Sequence, residues 1–286
     1  MGRTNTLGYM KNIVIKVNKK DDLVNYLINN SDYTRNKIKT LFKYKKILVN
    51  NHIVSKLPCI VNINDSICIN LDKDIKTPFT IIYEDENILV VDKKAGLLTI
   101  GTNKFDTNTL YRQVRDYCNN KKNHIFIVNR IDKETSGIVM FAKSEKIKNV
   151  YQNNWNDIVT NRSYVALVEG KISSDGRIDN LLYEEKNTFV HSSKIGKRAI
   201  TNYKVLKSNS KYSLLDINIE TGRKNQIRVH MSELGYPIVG DKKYGSKIDP
   251  INRMCLHAYK LELINPLNGK KMVFKIDNKL FDKLVK

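Results

Sequence analysis

The chain has 286 residues, 41% of them hydrophobic and 28% charged, which is the balance of a folded globular protein and not of a disordered tail. Fifty Lys and Arg against 29 Asp and Glu leave a net charge of +21, which points to a polyanionic partner, nucleic acid before acidic membrane. No run approaches the roughly 18 apolar residues that span a bilayer and no secretory signal stands near Met1, so a cytoplasmic protein is expected and an integral membrane protein excluded. The four cysteines, at 59, 68, 118 and 255, form neither a CxxC pair nor a disulfide framework. That fits a reducing compartment and argues against structural zinc.

In chain order, Asp21 and Asp22 open a helical run in which Leu23, Val24, Tyr26, Leu27 and Ile28 recur at helical spacing. After Asn29-Asn30-Ser31 the spacing predicts a second helix from about Thr34 to Lys43. Ile38, Leu41 and Phe42 form its apolar face, while Arg35, Lys39, Lys43 and Lys46 gather on the other. Six basic residues and no acidic one fall between 35 and 46. Mutually repelling cations gain nothing unless an anion neutralises them, so this face is expected to contact the phosphates of a nucleic acid. Ile47-Leu48-Val49, the turn residues Asn50-Asn51 and Ile53-Val54 predict a hairpin. Ile60–Ile63 and Ile67–Leu71, broken by Asn64-Asp65-Ser66, predict another strand pair. Asp72 to Pro78 reads as a linker between a small α/β module at 11–72 and a second domain at 79–286.

The helix pair followed by KILVNNHIVSK resembles the RNA-binding domain shared with ribosomal small-subunit protein four. Val49-Asn50-Asn51 and Asn64-Asp65-Ser66-Ile67 match that family's V-x-V-N-G-like hairpin and G-D-x-I strand, with Asn at both glycine positions. Asn tolerates positive φ well enough to keep the turns.

The second domain reads as strand-rich. TIIYEDENILVV is a predicted hairpin, and 125–128 and 137–143 are predicted strands. Residues 144–159 form a predicted helix with Val150, Tyr151 and Trp155 inward. Strands are expected in SYVALVEG, ITNYKVL and SLLDINIE, and QIRVHMSELG is a predicted helix ending at Gly235. Strands returning through turns, with helices interspersed irregularly, imply an α+β fold with a mixed, largely antiparallel sheet.

Two polar clusters could carry chemistry. Val128-Asn129-Arg130-Ile131-Asp132-Lys133-Glu134-Thr135-Ser136-Gly137 lies between apolar strands and holds a carboxylate rigidly, as a nucleophile or general base requires. Spacing alone favours a structural turn with an Asp–Arg pair. Thr221-Gly222-Arg223-Lys224-Asn225-Gln226-Ile227-Arg228 joins a strand to a helix, whose first N–H groups together with Arg223 could bind an anion. A basic helix cap is the alternative.

Together these segments resemble the RluA/RluD-like family of RNA pseudouridine synthases. NRIDKETSGIVMFAKS looks like its H-R-L-D-x-x-T-S-G-L-L-x-x-A-K motif. YEDENILVVDKKAG, RSYVALVEG, GKRAITNYKVL, TGRKNQIRVHM, YPIVGDKKYG and MCLHAYKLELINP follow the family's order across residues 80 to 275 or so. The resemblance makes Asp132 the catalytic aspartate, Tyr164 the residue that stacks on the flipped base and Arg228 the partner of the aspartate. Arg130 helps occupy the place of the extruded nucleotide, and Arg223 is a further RNA contact. Moving uracil from N1 to carbon 5 on the same ribose involves no redox change and no net hydrolysis, so neither cofactor nor metal is implied. A folded RNA must extrude the base at a cost of a few kcal/mol, of which stacking can return about 1–3 kcal/mol.

Asn129, Asn225 and Asn265 stand where the family often has His, and Lys94 replaces the Pro of K-P-A-G. Asn keeps hydrogen-bonding capacity but does not titrate near neutral pH. The expected protein is a monomeric synthase acting on structured RNA, ribosomal RNA before transfer RNA, with no membrane and no protein partner. The alternative of another class is a catalytically idle RNA-binding ribosome-assembly factor. Intact Asp132, Tyr164 and Arg228 argue against it.

Overall fold

One acidic side chain and a threonine decide where the chain first turns helical. Asp22 Oδ1 accepts hydrogen bonds from the backbone N–H groups of Val24 (2.9 Å) and Asn25 (3.3 Å), capping α1 (Leu23–Asn30). Thr34 Oγ1 accepts from the N–H of Lys37 at the start of α2 (Arg35–Lys43). In the computed structural model, which describes residues 13–43, 46–50, 52–54, 56–69, 77–101, 105–118, 124–186 and 188–285, the described chain falls into two compact units that divide after Pro78. Most of the linker expected at 72–78 lies outside the described residues.

In the first unit, strands β1 (Ile13–Lys16), β3 (Ile47–Val49), β4 (His52–Ile53) and β6 (Ser66–Ile69) form a sheet in the order β1-β6-β3-β4. The short strands β2 (Asp21–Asp22) and β5 (Ile60–Val61) pair with each other. The predicted pairing of 60–63 with 67–71 is therefore corrected. The turn at Asn64 sends the two segments to different partners, β6 lying between β1 and β3. Leu23, Leu27, Ile38, Ile47, Ile67 and Ile69 form the core. Asn50 and Asn64 have φ of 49° and 72°, the left-handed backbone that the sequence asks of them. Asn50 does more than a glycine could. Its amide donates to Asp65 Oδ1 (2.8 Å) and accepts from the N–H of Ser66 (2.9 Å), joining the two turns. Arg35, Lys39 and Lys43 are exposed as expected, but Lys46 is not. It lies past the helix end, 6% exposed, so the basic face comprises the other three.

The second unit is built on β7 (Thr80–Glu84), β8 (Ile88–Lys93), β9 (Phe126–Ile127), β10 (Ser136–Ala142), β11 (Val159–Glu169), β12 (Gly176–Glu184), β13 (Val190–Ser192), β14 (Lys197–Ser208), β15 (Tyr212–Ile219), β16 (Leu256–Ile264) and β17 (Lys271–Lys275). Among the described residues they form one sheet in the order β13-β12-β14-β15-β11-β16-β10-β8-β7, with β9 on β10 and β17 on β16. The helices are α3 (Leu110–Cys118), α4 (Glu145–Asn153), α5 (Trp155–Ile158) and α6 (Gln226–Glu233). The fold is α+β with a mixed, largely antiparallel sheet, as the sequence predicts. The expected helix over 144–159 is split at Asn154, whose amide takes the carbonyl of Val150.

The parallel contact lies at the centre, where Ser136 and Gly137 of β10 meet His257 and Ala258 of β16. Gly137 has φ 121°, and a Cβ there would lie 2.1 Å from the carbonyl oxygen of Ala258. No side chain fits between these strands. Ser136 Oγ and His257 Nδ1, 2.7 Å apart, fasten the same junction. On the other side, His230 anchors α6 to the sheet through Thr201 Oγ1 and Asn180 Oδ1, both at 2.9 Å.

Burial pushes both His230 and His257 down to about 4. In the unfolded chain each would take a proton near pH 6.5, so the stability they carry is present above that value and is lost as pH falls towards 4. Between pH 7 and pH 5, urea unfolding should show a loss of about 2 kcal/mol per histidine. His230→Gln should reduce that difference by about half, whatever it does to stability at pH 7.

Candidate active site

Asp132 stands in the loop between β9 and β10, and the backbone on both sides of it is tied down. Thr99 Oγ1 donates to the carbonyl of Ile131 (2.8 Å). Lys93 Nζ, fully buried, donates to the carbonyls of Lys133 (2.9 Å), Leu97 (2.6 Å) and Lys94 (3.0 Å). An ammonium group has three hydrogens, and each has a carbonyl here. Burial pulls Lys93 down to about 8, against the charges of Glu134 and Asp132 that favour its protonated form. The N–H of Thr135 closes the loop onto the carbonyl of Asp132 (3.2 Å). Upstream, Asn129 Oδ1 accepts from the N–H of Met140 (2.8 Å), a bond that needs an acceptor and no titratable group. Downstream, Arg253 Nη2 donates to Ser136 Oγ (2.7 Å).

Arg228 approaches from α6. The sequence pairs it with Asp132, and the two do meet, Nη1 to Oδ2 at 3.5 Å. That ion pair is longer than a hydrogen bond. The planar fork of the guanidinium belongs instead to Asp241, which accepts from Nε and Nη2, both at 2.7 Å. Nη1 also donates to Asn225 Oδ1 (3.0 Å), and the group lies over the ring of Tyr244, 4.9 Å from its centre. Asn225 donates in turn to the Tyr244 hydroxyl (3.0 Å) and adopts φ 55°, so at this position the amide orients the arginine. Burial works against the charge on Arg228, but the hydrogen bonds and charge of Asp241, followed by the charge of Asp132, hold its pKa above the usual value. It is a permanent cation with one edge turned to Asp132.

The expected anion site at the start of α6 is corrected in part. Gln226 Oε1 accepts from the N–H of Arg223 (3.0 Å) and from Thr221 Oγ1 (2.8 Å), so that backbone donor is already used. The Arg223 side chain remains at the surface, with Nε donating to the carbonyl of Arg198. Arg130 is likewise exposed at the rim.

Asp132, Tyr164, Arg228, Arg130 and Arg223 line one cavity of about 90 Å³, floored by Ile131, Ile219, Ile227 and Leu256. Tyr164, on β11, is half-buried where the pairing with β16 slips by a residue. Burial, with Asp132 nearby, pushes its phenol up to about 12, so it meets a bound group as a neutral ring. The five site residues expected in this domain are thus brought together. Asp241, Tyr244, Lys93 and Thr99 are not foreseen, although the first three lie in YPIVGDKKYG and DKKAG. Among the described residues no group of three or more His, Cys, Asp or Glu side chains is gathered to hold a metal ion.

Sheet and site together define an RNA pseudouridylate synthase, and the family model of that description matches residues 87–233. An uncharacterised RNA pseudouridine synthase of Aquifex aeolicus is 32% identical over 274 residues, 86% of each chain. The ribosomal large subunit pseudouridine synthase D of Zymomonas mobilis is 34% identical, covering 69% of this chain and 68% of its own. In fold, the human RNA pseudouridylate synthase domain containing 1 overlays with a TM-score of 0.61 at 23% identity, over 73% of this chain and 86% of that one. The chain belongs to the RluA/RluD-like family of RNA pseudouridine synthases. It is an isomerase acting on RNA.

Asp241 gives the test of the buried geometry. Asp241→Asn leaves the Arg228 charge without its fork partner, and removing one member of a buried pair commonly costs about 3–5 kcal/mol. Thermal unfolding should fall accordingly, and Arg228 should swing towards Asp132. Activity is then expected to drop in kcat more than in KM.

Proposed function

We propose that the chain converts uridine to pseudouridine in structured ribosomal RNA, with transfer RNA second, and that Asp132 is the catalytic residue. The observation that carries this is the placement of the Asp132 carboxylate in a cavity shared with a neutral Tyr164 ring and the Arg228 cation 3.5 Å away. A uracil extruded from its stack finds there a flat face at Tyr164 and a carboxylate held by backbone ties on both sides. The N1-to-ribose bond breaks, the uracil turns within the cavity, and carbon 5 bonds to the same ribose carbon. The proton lost from carbon 5 is balanced by one gained at N1, so no co-reactant is needed. Arg228, a permanent cation at 3.5 Å, aims the carboxylate while the base excludes water. Arg130 and Arg223, exposed at the rim, meet the RNA around the extruded nucleotide. Ribosomal RNA is favoured because relatives such as that of Zymomonas mobilis carry the name of large-subunit synthases.

The first unit fits an RNA-binding domain of the ribosomal small-subunit protein four type, supported by its basic helix face and its two asparagine turns. It supplies affinity and the second unit supplies chemistry, in one chain acting as a monomer in the cytoplasm.

Two measurements test this. Asp132→Asn keeps the size of the side chain and removes its charge. It should abolish pseudouridine formation on unmodified ribosomal RNA while leaving RNA binding within about threefold of wild type; wild-type turnover would refute the assignment. Neutralising Arg35, Lys39 and Lys43 together should lower the slope of log K against log salt by about 2, because each phosphate contact contributes about 0.7–0.9. An unchanged slope would make that face ordinary surface.

A further inference from the structure

A second cleft opens beside the Asp132 cavity and shares two of its walls, Gly222 and Arg223. It has a volume of about 560 Å³, and its apolar side is formed by Leu182, Val190 and Ile195. Ile195 sits at the tip of the loop that links β13 to β14, on either side of β12 in the sheet, and is 66% exposed. The tip is pressed against β12: Gly196 has φ 143°, and a Cβ on it would lie 2.3 Å from the carbonyl oxygen of Leu182. Lys197, Arg223 and Lys224 supply the charge, and Glu184 is the carboxylate on the wall. Glu184 is ion-paired with Lys224, which leaves the positive charge of Lys197 and Arg223 uncompensated within the lining.

An exposed aliphatic side chain set among cations is a poor solvent surface, since water gains nothing from the one and the others repel. A nucleotide satisfies both, presenting a flat, largely apolar ring and an anion on one short unit. The shared Gly222 and Arg223 make this cleft the immediate neighbour of the Asp132 cavity, where the extruded uridine is proposed to sit. We propose that it is a subsite for the nucleotide adjacent to that uridine, the base resting on Leu182, Val190 and Ile195 and the intervening phosphate held by Arg223 and Lys197. This rests on the function proposed above. It adds that the enzyme grips two neighbouring nucleotides, so that the residue beside the target contributes to recognition.

The test compares the affinities of uridine 5′-monophosphate, the trinucleotide UpUpU, and two forms of that trinucleotide lacking either the 5′ or the 3′ base. The trinucleotide should bind roughly tenfold more tightly than the mononucleotide, as burial of one further base and pairing of one phosphate imply. Removing the flanking base on one side should abolish most of that gain, and removing the other should not. Ile195→Glu and Lys197→Ala, both at exposed positions, should each reduce the trinucleotide-to-mononucleotide ratio to about threefold or less. A ratio near one in the wild type, or a ratio unchanged in both variants, would overturn the subsite. So would competition by polyglutamate as effective as that by the trinucleotide, which would make the cleft a cationic patch. None of these readouts requires turnover. Failure of the proposed function would appear instead as an absence of pseudouridine on ribosomal and transfer RNA alike.

Discussion

A guanidinium taken out of water has five N–H groups to satisfy, and the active site is organised around how Arg228 satisfies them. Two go to Asp241 and one to Asn225, at 2.7 to 3.0 Å, and the ring of Tyr244 covers one face. What remains is a single edge, and Asp132 is there at 3.5 Å. Asp241 and Asp132 thereby stand in different relations to the one cation. Asp241, 2% exposed, fixes the direction of the cation, so Asp132 is not required to do so. A carboxylate locked into a bidentate pair would have both oxygens engaged by the cation and fewer lone pairs to offer another group. Here it is attracted without being consumed.

The elements most visible in the sequence are those whose local signals agree with their packing. Asp22 and Thr34 cap the helices they precede, TIIYEDENILVV forms the hairpin β7–β8, and Gly235 follows α6. Asp132, Tyr164 and Arg228 are legible because their motifs place them on a loop, a strand and a helix that converge on one cavity. Other features depend on contacts distant in sequence. The pairing of β5 with β2 is invisible when β5 is followed closely by another apolar segment. Lys46 reads as one more surface cation, since nothing local shows that the chain turns inward after α2. Lys93 is written as a lysine in a charged stretch, and only the fold shows its three carbonyl partners, one of them 40 residues away.

Asparagine is used here for a consistent physical reason. Asn50 adopts the backbone of a glycine and also bridges two turns. Asn129 accepts from the N–H of Met140, Asn225 binds Arg228, and Asn265 accepts from the Tyr151 hydroxyl (3.1 Å) and the N–H of Leu267 (2.9 Å). In each of the last three the amide oxygen accepts a hydrogen bond, which a neutral imidazole could also do through one nitrogen. The amide does so at any pH. The scaffold around Asp132 therefore holds its shape where a histidine scaffold would begin to take up protons.

The glycine at 137 has a mechanical meaning for the active site. The sheet of the second unit consists of two panels joined at the short parallel contact of β10 with β16. Asp132, Lys93 and Thr99 belong to the panel of β7, β8 and β10, whereas Tyr164, Arg228 and Asp241 belong to the panel beyond β16 or to the helix packed on it. Asp132 and the tyrosine and arginine that face it are thus carried on opposite leaves of a closed book, and Gly137 lies in its spine. Even one methyl group there would press on the Ala258 carbonyl and force the spine to shift, and with it the 3.5 Å contact of Arg228 with Asp132. The two leaves close as tightly as they do because that position carries no side chain at all.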